Sequence, residues 1–175
     1  FLRAVDVRIG GFRVEKAPEG RGQRVFVKHE VDGKGYELRL SEESAGTQKL
    51  MGLAAFLLAA LERGSTVVVD ELDAKLHPKL LRYVILLFKD PEVNKHGAQL
   101  IFSSQDVSTM RNDVFRRDEI WFAARGEGEA SQLWSLADIH EANGNLVSKN
   151  AAFDKQYLSG RYGADPYLTR IEEWD

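Results

Sequence analysis

The chain has 175 residues, of which 43% are hydrophobic, and its 24 Lys and Arg against 27 Asp and Glu give a formal net charge of -3. This length suffices for one ordinary core, so we expect a single domain over residues 1–175, and the near-neutral charge leaves nucleic-acid binding unsupported. The lack of cysteine, of an apolar run of about 18 residues and of a basic-then-apolar leader gives no support to disulfides, membrane spans or secretion, and we expect a cytoplasmic protein.

The first predicted elements are antiparallel strands. Polar and apolar residues alternate over residues 5–14 and 24–40, and the turn-forming pair Asp32 and Gly33 lies within the second stretch. Residues 18–22 are rich in turn-forming and charged residues and predict a loop. Because the chain opens on Phe1 directly in strand-like sequence, we expect it to derive from a longer protein.

A long helix is predicted over residues 47–63, where apolar residues recur at the i, i+3, i+4 spacing of one helix face. This apolar set comprises Leu50, Leu53, Ala54, Leu57 and Leu61, widened by Met51, Phe56 and Leu58. We expect the helix to be mostly buried and to end at Arg63 and Gly64.

A strand–helix–strand unit follows the long helix. Three valines at 67–69 come after Thr66, and such a β-branched run suits a strand buried on both faces, as in a parallel sheet. Pro78 suits the first position of a helix, and residues 99–102 (QLIF) predict a second short strand. At this length the two strands should run parallel.

A further hairpin is predicted from the apolar segments 120–123 and 132–136, with a turn at Gly126 and Gly128. The aromatic residues at strand spacing in these segments are expected to be core residues: Trp121, Phe122 and Trp134. The predicted fold class is therefore α/β with a mixed sheet.

The first functional candidates are Asp70 and Glu71, adjacent carboxylates directly after the valine run. Ligand sites lie at the carboxyl ends of parallel strands. Because side chains alternate along a strand, the two carboxylates point different ways unless the chain turns between them, so one can hold Mg²⁺ and the other a water. The plainer alternative is a solvated strand end.

The second candidate is the start of the long helix, in residues 42–49 (EESAGTQK). Small residues at a helix N-terminus leave backbone N–H groups free to face an anion such as a phosphate. The alternative is that Ser44 or Thr47 serves only as a helix N-cap.

Four segments in this order resemble the carboxy-terminal half of an ABC-type ATPase head, the group that includes RecF-like, SMC-like and OLD-like proteins. Within that group the chain is most similar to the AAA-type ATPases of abortive-infection, phage-defence operons. The matching segments are 44–50 (SAGTQKL) for the signature motif, 67–71 (VVVDE) for Walker B, 73–78 (DAKLHP) for the D-loop stretch, and 160–166 (GRYGADP) for a closing motif of the defence-associated group. The resemblance covers nearly the whole chain. It implies the carboxy-terminal lobe of a P-loop NTPase, with a parallel βαβ core and antiparallel hairpins.

The resemblance also implies a role for each matching residue. Asp70 would hold Mg²⁺ through water, and Glu71 would orient and deprotonate the water that attacks the γ-phosphate of ATP. Asp73 would lie at the contact between the two subunits of a homodimer. The signature would contact nucleotide bound to the second subunit through Ser44, Ala45, Gly46 and Gln48.

Two departures from the family pattern stand out. The family usually has a histidine after the second strand, whereas the aligned segment here, residues 103–106 (SSQD), has Gln105. A glutamine can donate a hydrogen bond to the γ-phosphate, but it cannot become cationic or relay a proton. No G-x-x-x-x-G-K-[ST] loop occurs, since Gly33-Lys34 lacks both the upstream glycine and the following Ser or Thr. We therefore expect the P-loop lobe upstream in a longer protein, and negligible nucleotide affinity and no activity for this segment alone.

The expected function is ATP hydrolysis by a homodimeric parent protein that drives or gates an effector protein in phage defence or a DNA-related process. A second class is a non-hydrolysing module in which nucleotide gates dimerisation and Gln105 marks lost catalysis. A third is a metal-dependent nuclease built on Asp70, Glu71 and Asp73. His77 is interpreted as a turn or helix-start residue in preference to a metal ligand, because no second histidine stands at ligand spacing.

Overall fold

A computed structural model describes residues 9–16, 22–125 and 130–164. The chain divides into two compact units, Phe1–Gln105 and Asp106–Asp175. The fold is mixed α/β, with parallel and antiparallel sheets, as predicted. Whether residues 1–175 constitute one domain of a larger ATPase head stays a prediction.

The first unit begins with a three-stranded antiparallel sheet: β1 (Ile9–Lys16), β2 (Gln23–Val31) and β3 (Lys34–Arg39). The predicted turn lies between β2 and β3, where Asp32 has φ 52° and Gly33 φ 73°. A left-handed conformation at both central residues matches the twist of a tight hairpin. The part of the predicted pattern at residues 5–8, and residues 18–21 of the predicted loop, lie outside the described residues.

The two faces of this sheet differ in polarity. One face carries Arg13, which donates hydrogen bonds to Glu15 and Glu37 and stacks over the ring of Phe26 at 4.4 Å from its centroid. The hydrogen bonds from Arg13 hold the pKa of Glu37 below its usual value. The opposite face carries Val27, which is fully buried. The alternation in sequence thus places charged and apolar side chains on opposite faces of the sheet.

The long helix, α1 (Ala45–Arg63), begins two residues earlier than predicted and ends at Gly64, which has φ 67°. Its buried residues are Leu50, Ala54, Leu57, Ala60 and Leu61. The prediction that Phe56 and Leu58 widen the buried face is wrong, because their side chains are 67% and 48% exposed. Within the described residues, α1 is covered along one face and not all round.

The strand–helix–strand unit is confirmed. It consists of β4 (Thr66–Val69), α2 (Pro78–Lys89) and β5 (Gln99–Phe102), and the strands pair in parallel from Thr66 opposite Gln99 to Val69 opposite Phe102. The prediction that the first strand is buried on both faces is wrong for this chain. Val68 is 71% exposed and its pairing partner Ile101 is 56% exposed, whereas Val69 is buried.

The second unit contains the predicted hairpin, β6 (Trp121–Arg125) and β7 (Ser131–Ser135), and a short helix, α3 (Phe153–Leu158). The turn at Gly126 and Gly128 lies outside the described residues. The buried cluster of the second unit comprises Ile120, Phe122, Leu136, Val147, Phe153 and Tyr162.

Aromatic residues define the core of this unit. Phe122 stacks on Tyr157 at 5.7 Å between ring centroids, and Trp134 packs against the same cluster. Trp121 was expected in the core and is 58% exposed, because it projects from the other face of the hairpin. No helix in the described part of the chain is both long and apolar enough to span a membrane.

Candidate functional site

The carboxyl ends of β4 and β5 meet at the residues predicted to bind metal and water. The backbone bonds of the pair continue past the strands, since Ser103 N donates to Val69 O at 3.1 Å and Leu72 N donates to Ser103 O at 3.0 Å. This places the Ser103 side chain between the two candidate carboxylate residues. Its hydroxyl donates to Asp70 Oδ1 at 2.5 Å and accepts from Glu71 N at 2.7 Å.

The chain turns between the two carboxylates, as the strand geometry required if both were to reach one site. Glu71 has φ 48°, in the left-handed region that a side chain with a Cβ seldom adopts. Such a conformation costs on the order of 1 kcal/mol or more and persists where surrounding contacts hold it. Both Asp70 and Glu71 are exposed. The geometry therefore offers two solvent-accessible carboxylates on a constrained backbone.

The predicted signature segment lies at the N-terminus of α1. Ser44 is the N-cap residue, and its Oγ accepts from Thr47 N at 3.1 Å. Gln48 donates from Nε2 to Glu43 O at 2.8 Å, so this side chain braces the loop that precedes the helix. Glu43 in turn contacts His29 of β2 at 2.6 Å between Oε1 and Nε2. Ser44 is therefore an N-cap residue, and its additional contact with nucleotide stays a prediction.

Two contacts join this helix start to the turn that follows β4. Lys49 Nζ donates to Glu71 O at 2.5 Å. A Cβ placed on Gly46 would lie 2.9 Å from Lys75 O, so a glycine is required for this close approach. A groove of about 420 Å³ lies between the two segments and is lined by Ala45, Gln48, Lys49, Ala74 and Lys75. The first unit thus brings the signature-like and Walker B-like segments together.

The residues between Glu71 and Pro78 form consecutive turns. Ala74 N donates to Glu71 O at 3.0 Å, and Leu76 N donates to Asp73 O at 2.9 Å. Asp73 Oδ1 is buried and has no hydrogen-bond partner within the described residues. A buried acceptor without a donor is energetically costly, so this oxygen is an exception among buried polar atoms.

His77 has a structural role. It is the N-cap residue of α2, and its Nδ1 accepts from Lys79 N at 3.1 Å. Within the described ranges, no three His, Cys, Asp or Glu side chains are grouped as metal ligands. The metal-dependent nuclease built on Asp70, Glu71 and Asp73 stays a prediction.

Gln105 lies three residues beyond β5 and its side chain is exposed. Among the described residues, the bonds that join Asp70, Glu71 and Ser103 do not include it. Asp106 follows and caps a short 3₁₀ turn by accepting from Ser108 N at 2.6 Å. The structure therefore leaves the catalytic or sensing role of Gln105 as a prediction.

Two residues of this site had no role in the sequence prediction. Ser103 belongs to the polar segment after β5, and the parallel register places it beside Asp70, so the pairing of the two strands was the available signal. Lys49 had no comparable signal, because it meets the Glu71 carbonyl across 22 positions of sequence through tertiary packing.

Comparison with known protein families identifies a match for this chain. The family model of AbiEii toxin-like AAA domains, from type IV toxin–antitoxin systems, matches residues 4–111, which is more than half of the chain. The matched region includes the signature-like segment, β4 with the carboxylates that follow it, β5, and Gln105. No curated protein matches the chain.

Proposed function

The chain belongs to the family of AbiEii toxin-like AAA domains, and from this premise we propose that it is the carboxy-terminal lobe of an ABC-type head that binds and hydrolyses ATP. The AAA family supports ATPase-type activity in general. The observation that carries the finer proposal is the joint placement of Asp70 and Glu71, bridged by the Ser103 hydroxyl at the carboxyl ends of two parallel strands.

The carboxylate oxygens of Asp70 suit Mg²⁺, a hard cation that takes oxygen ligands and keeps several waters. Asp70 is an exposed carboxylate, and accepting one hydrogen bond from Ser103 leaves it further acceptor capacity. Asp70 would hold the ion through water. When bound, Mg²⁺ would neutralise charge on the β- and γ-phosphates of ATP.

Glu71 would act as the general base. It would accept a proton from the water that attacks the γ-phosphate, and the fixed backbone at φ 48° would limit the directions its carboxylate can take. The signature residues Ser44, Ala45, Gly46 and Gln48 would face nucleotide bound to the second subunit of a homodimer. Asp73, whose buried Oδ1 has no hydrogen-bond partner among the described residues, would lie at that subunit contact.

The P-loop lobe is proposed to come from a different segment of the parent protein. Parallel sheets occur almost only with both faces covered, yet Val68 and Ile101 expose one face of the β4–β5 pair. An α-helix that is apolar on several sides is also normally buried, and Phe56 of α1 is exposed. These uncovered surfaces support a missing layer. An effector protein as partner, phage defence as context and a cytoplasmic location belong to the same proposal.

The substitution Glu71→Gln in the full-length protein tests the catalytic assignment. The amide cannot accept a proton from water, so turnover should fall by at least about 100-fold, in line with the loss of a general base. ATP binding should persist and the ATP-bound dimer should accumulate. Phosphate release and analytical ultracentrifugation with ATP measure both effects.

The matched control is Glu62→Gln on α1, which removes an exposed carboxylate outside the site. This variant should turn over ATP at the wild-type rate. Wild-type turnover in the Glu71→Gln protein would remove Glu71 from the role of base.

A non-hydrolysing, nucleotide-gated dimerisation module is the second candidate, and the observation that favours it is Gln105 in place of a titratable histidine. Such a protein would dimerise with ATP and release no phosphate. Phosphate release from the wild-type full-length protein therefore separates the two candidates.

A further inference from the structure

We infer that Lys49 is a positioning residue that couples the signature segment to the general base of its own subunit. This inference rests on the proposed function, since it assigns Glu71 as the base. Lys49 does not contact the carboxylate that would meet water. It holds the backbone from which that carboxylate projects.

The contact between Lys49 and Glu71 is direct. The ammonium Nζ donates to the Glu71 carbonyl at 2.5 Å, and a hydrogen bond with a charged donor is about twice as strong as a neutral one. On the other side of the same residue, Glu71 N donates to the Ser103 hydroxyl at 2.7 Å. Both backbone polar groups of a residue in the left-handed region are therefore held by side chains from other elements.

This bracing explains how the strained conformation persists. A non-glycine residue at φ 48° lies in a sparsely populated region, and the surroundings must over-determine it. Ser103, directly after β5, anchors the amide, and Lys49 of α1 anchors the carbonyl. Among the described residues, loss of the Lys49 bond leaves on that carbonyl the bond of the local turn, in which Ala74 N donates to the same oxygen.

A second contact transmits movement of the helix start. Gly46 approaches Lys75 so closely that an added Cβ would lie 2.9 Å from the Lys75 carbonyl oxygen. Lys75 itself has φ 65°. The turn between β4 and α2 is thus touched by the signature segment at both ends, near Glu71 and at Lys75, and a shift of α1 cannot leave it unchanged.

The consequence concerns communication between two active sites. In the proposed dimer, Ser44 contacts nucleotide held by the second subunit, and Lys49 of the same helix holds Glu71 of its own subunit. Nucleotide binding at the site of the second subunit would then affect the position of Glu71 through α1. This predicts that hydrolysis requires signature engagement even when nucleotide is already bound.

The test uses three variants of the full-length protein: Lys49→Met, Lys49→Arg and the control Lys79→Met. Methionine removes the donor and keeps the length of the side chain, whereas arginine restores a cationic donor. Lys79 is an exposed lysine at the start of α2 and controls for loss of positive charge near the site. Unchanged melting temperatures establish that each variant folds.

We expect Lys49→Met to lower kcat about 10- to 100-fold, the usual range for loss of a supporting partner behind a functional residue. ATP affinity and ATP-dependent dimerisation should stay within about twofold of wild type, Lys49→Arg should recover part of kcat, and Lys79→Met should match wild type. A kcat of Lys49→Met within twofold of wild type overturns the inference. So does a fall in ATP affinity at unchanged kcat, which would make Lys49 a phosphate ligand.

Amide hydrogen exchange separates this inference from the proposed function. In the wild type, ATP-driven dimerisation should change the protection of the amides of residues 70–76, and Lys49→Met should abolish that change while the dimer still forms. Absence of phosphate release by the wild type contradicts the proposed ATPase but leaves this exchange readout intact. An exchange change identical in wild type and Lys49→Met contradicts the coupling.

Discussion

At the scale of single residues, the site depends on one hydroxyl group. Ser103 is neither charged nor titratable at neutral pH, yet it orders Asp70 through its proton and Glu71 through its lone pair. Its two bonds hold the Asp70 carboxylate and the backbone amide of Glu71. Its importance follows from the parallel register, which places it directly beside Asp70.

The substitution Ser103→Ala removes both bonds while leaving the strand pairing intact. We expect turnover of the full-length protein to fall about 10- to 100-fold, because the two carboxylates lose a shared support. Ser65→Ala, at the opposite end of β4, is the matched control and should be neutral. Equal turnover in the two variants would show that the Ser103 bridge is dispensable.

The folding stability of the second unit should depend on pH through the phenol of Tyr162. Burial raises the pKa of its phenol to about 12, and its hydroxyl donates to Gln156 Oε1 at 2.7 Å. Because the folded pKa lies above the unfolded value of about 10, the neutral phenol stabilises the fold fully below pH 10. That contribution should be lost as the pH rises from about 10 through 12.

Alkaline denaturation followed by tyrosinate absorbance checks the titration. Tyr162→Phe should be less stable at neutral pH, because Gln156 loses its donor, and should show a weaker loss of stability above pH 10. Identical alkaline profiles for the two proteins would assign the transition to other groups.

At the scale of elements, helix α1 is defined by its ends. Ser44 caps its first turn, and Gly64 ends it in the left-handed conformation. The position of its first turns, by contrast, is set by close approach to the turn after β4 at Gly46 and Lys49. The helix therefore has a local explanation for its length and a tertiary explanation for its position.

Two glycines of α1 make a matched pair of substitutions. Gly46→Ala would place a Cβ 2.9 Å from the Lys75 carbonyl oxygen and should destabilise the protein by about 1–3 kcal/mol, as overpacking does. At Gly52 a Cβ would meet nothing within 4 Å, so Gly52→Ala should stabilise the helix by about 0.5–1 kcal/mol. Chemical denaturation measures both. An unchanged free energy of unfolding for Gly46→Ala would show that α1 and Lys75 can separate enough to accommodate a Cβ.

At the scale of the whole molecule, the first unit contains part of the proposed site. It holds the candidate carboxylates and the signature-like segment, while the chain has no P-loop sequence. The exposed apolar side of Val68 and Ile101 supports the proposal that a further layer covers it in the parent protein.

Residues 1–175 alone should therefore bind Mg-ATP no more tightly than about millimolar, because a P-loop supplies most of the cradle for the β- and γ-phosphates. Calorimetric titration of this chain measures the affinity, and the full-length protein is the positive control. Micromolar binding to residues 1–175 would contradict the need for a separate P-loop lobe.

The local elements of this protein could be predicted from the sequence. The turn at Asp32 and Gly33, the start of α2 at Pro78 and the end of β4 directly before Asp70 each depend on residues close together in the chain. Periodicity, turn chemistry and helix caps act over a few residues, so they can be recognised without knowledge of the fold.

Tertiary structure alone decided which faces are covered and which side chains meet. An apolar residue has the same periodicity whether or not a neighbour covers it, so the exposure of Phe56, Leu58 and Val68 could not be predicted from pattern. The bonds from Lys49 and Ser103 to Glu71 cross 22 and 32 positions of sequence. Such contacts form only once packing has brought the start of α1 next to the carboxyl ends of β4 and β5. These contacts also hold Glu71 in its left-handed conformation.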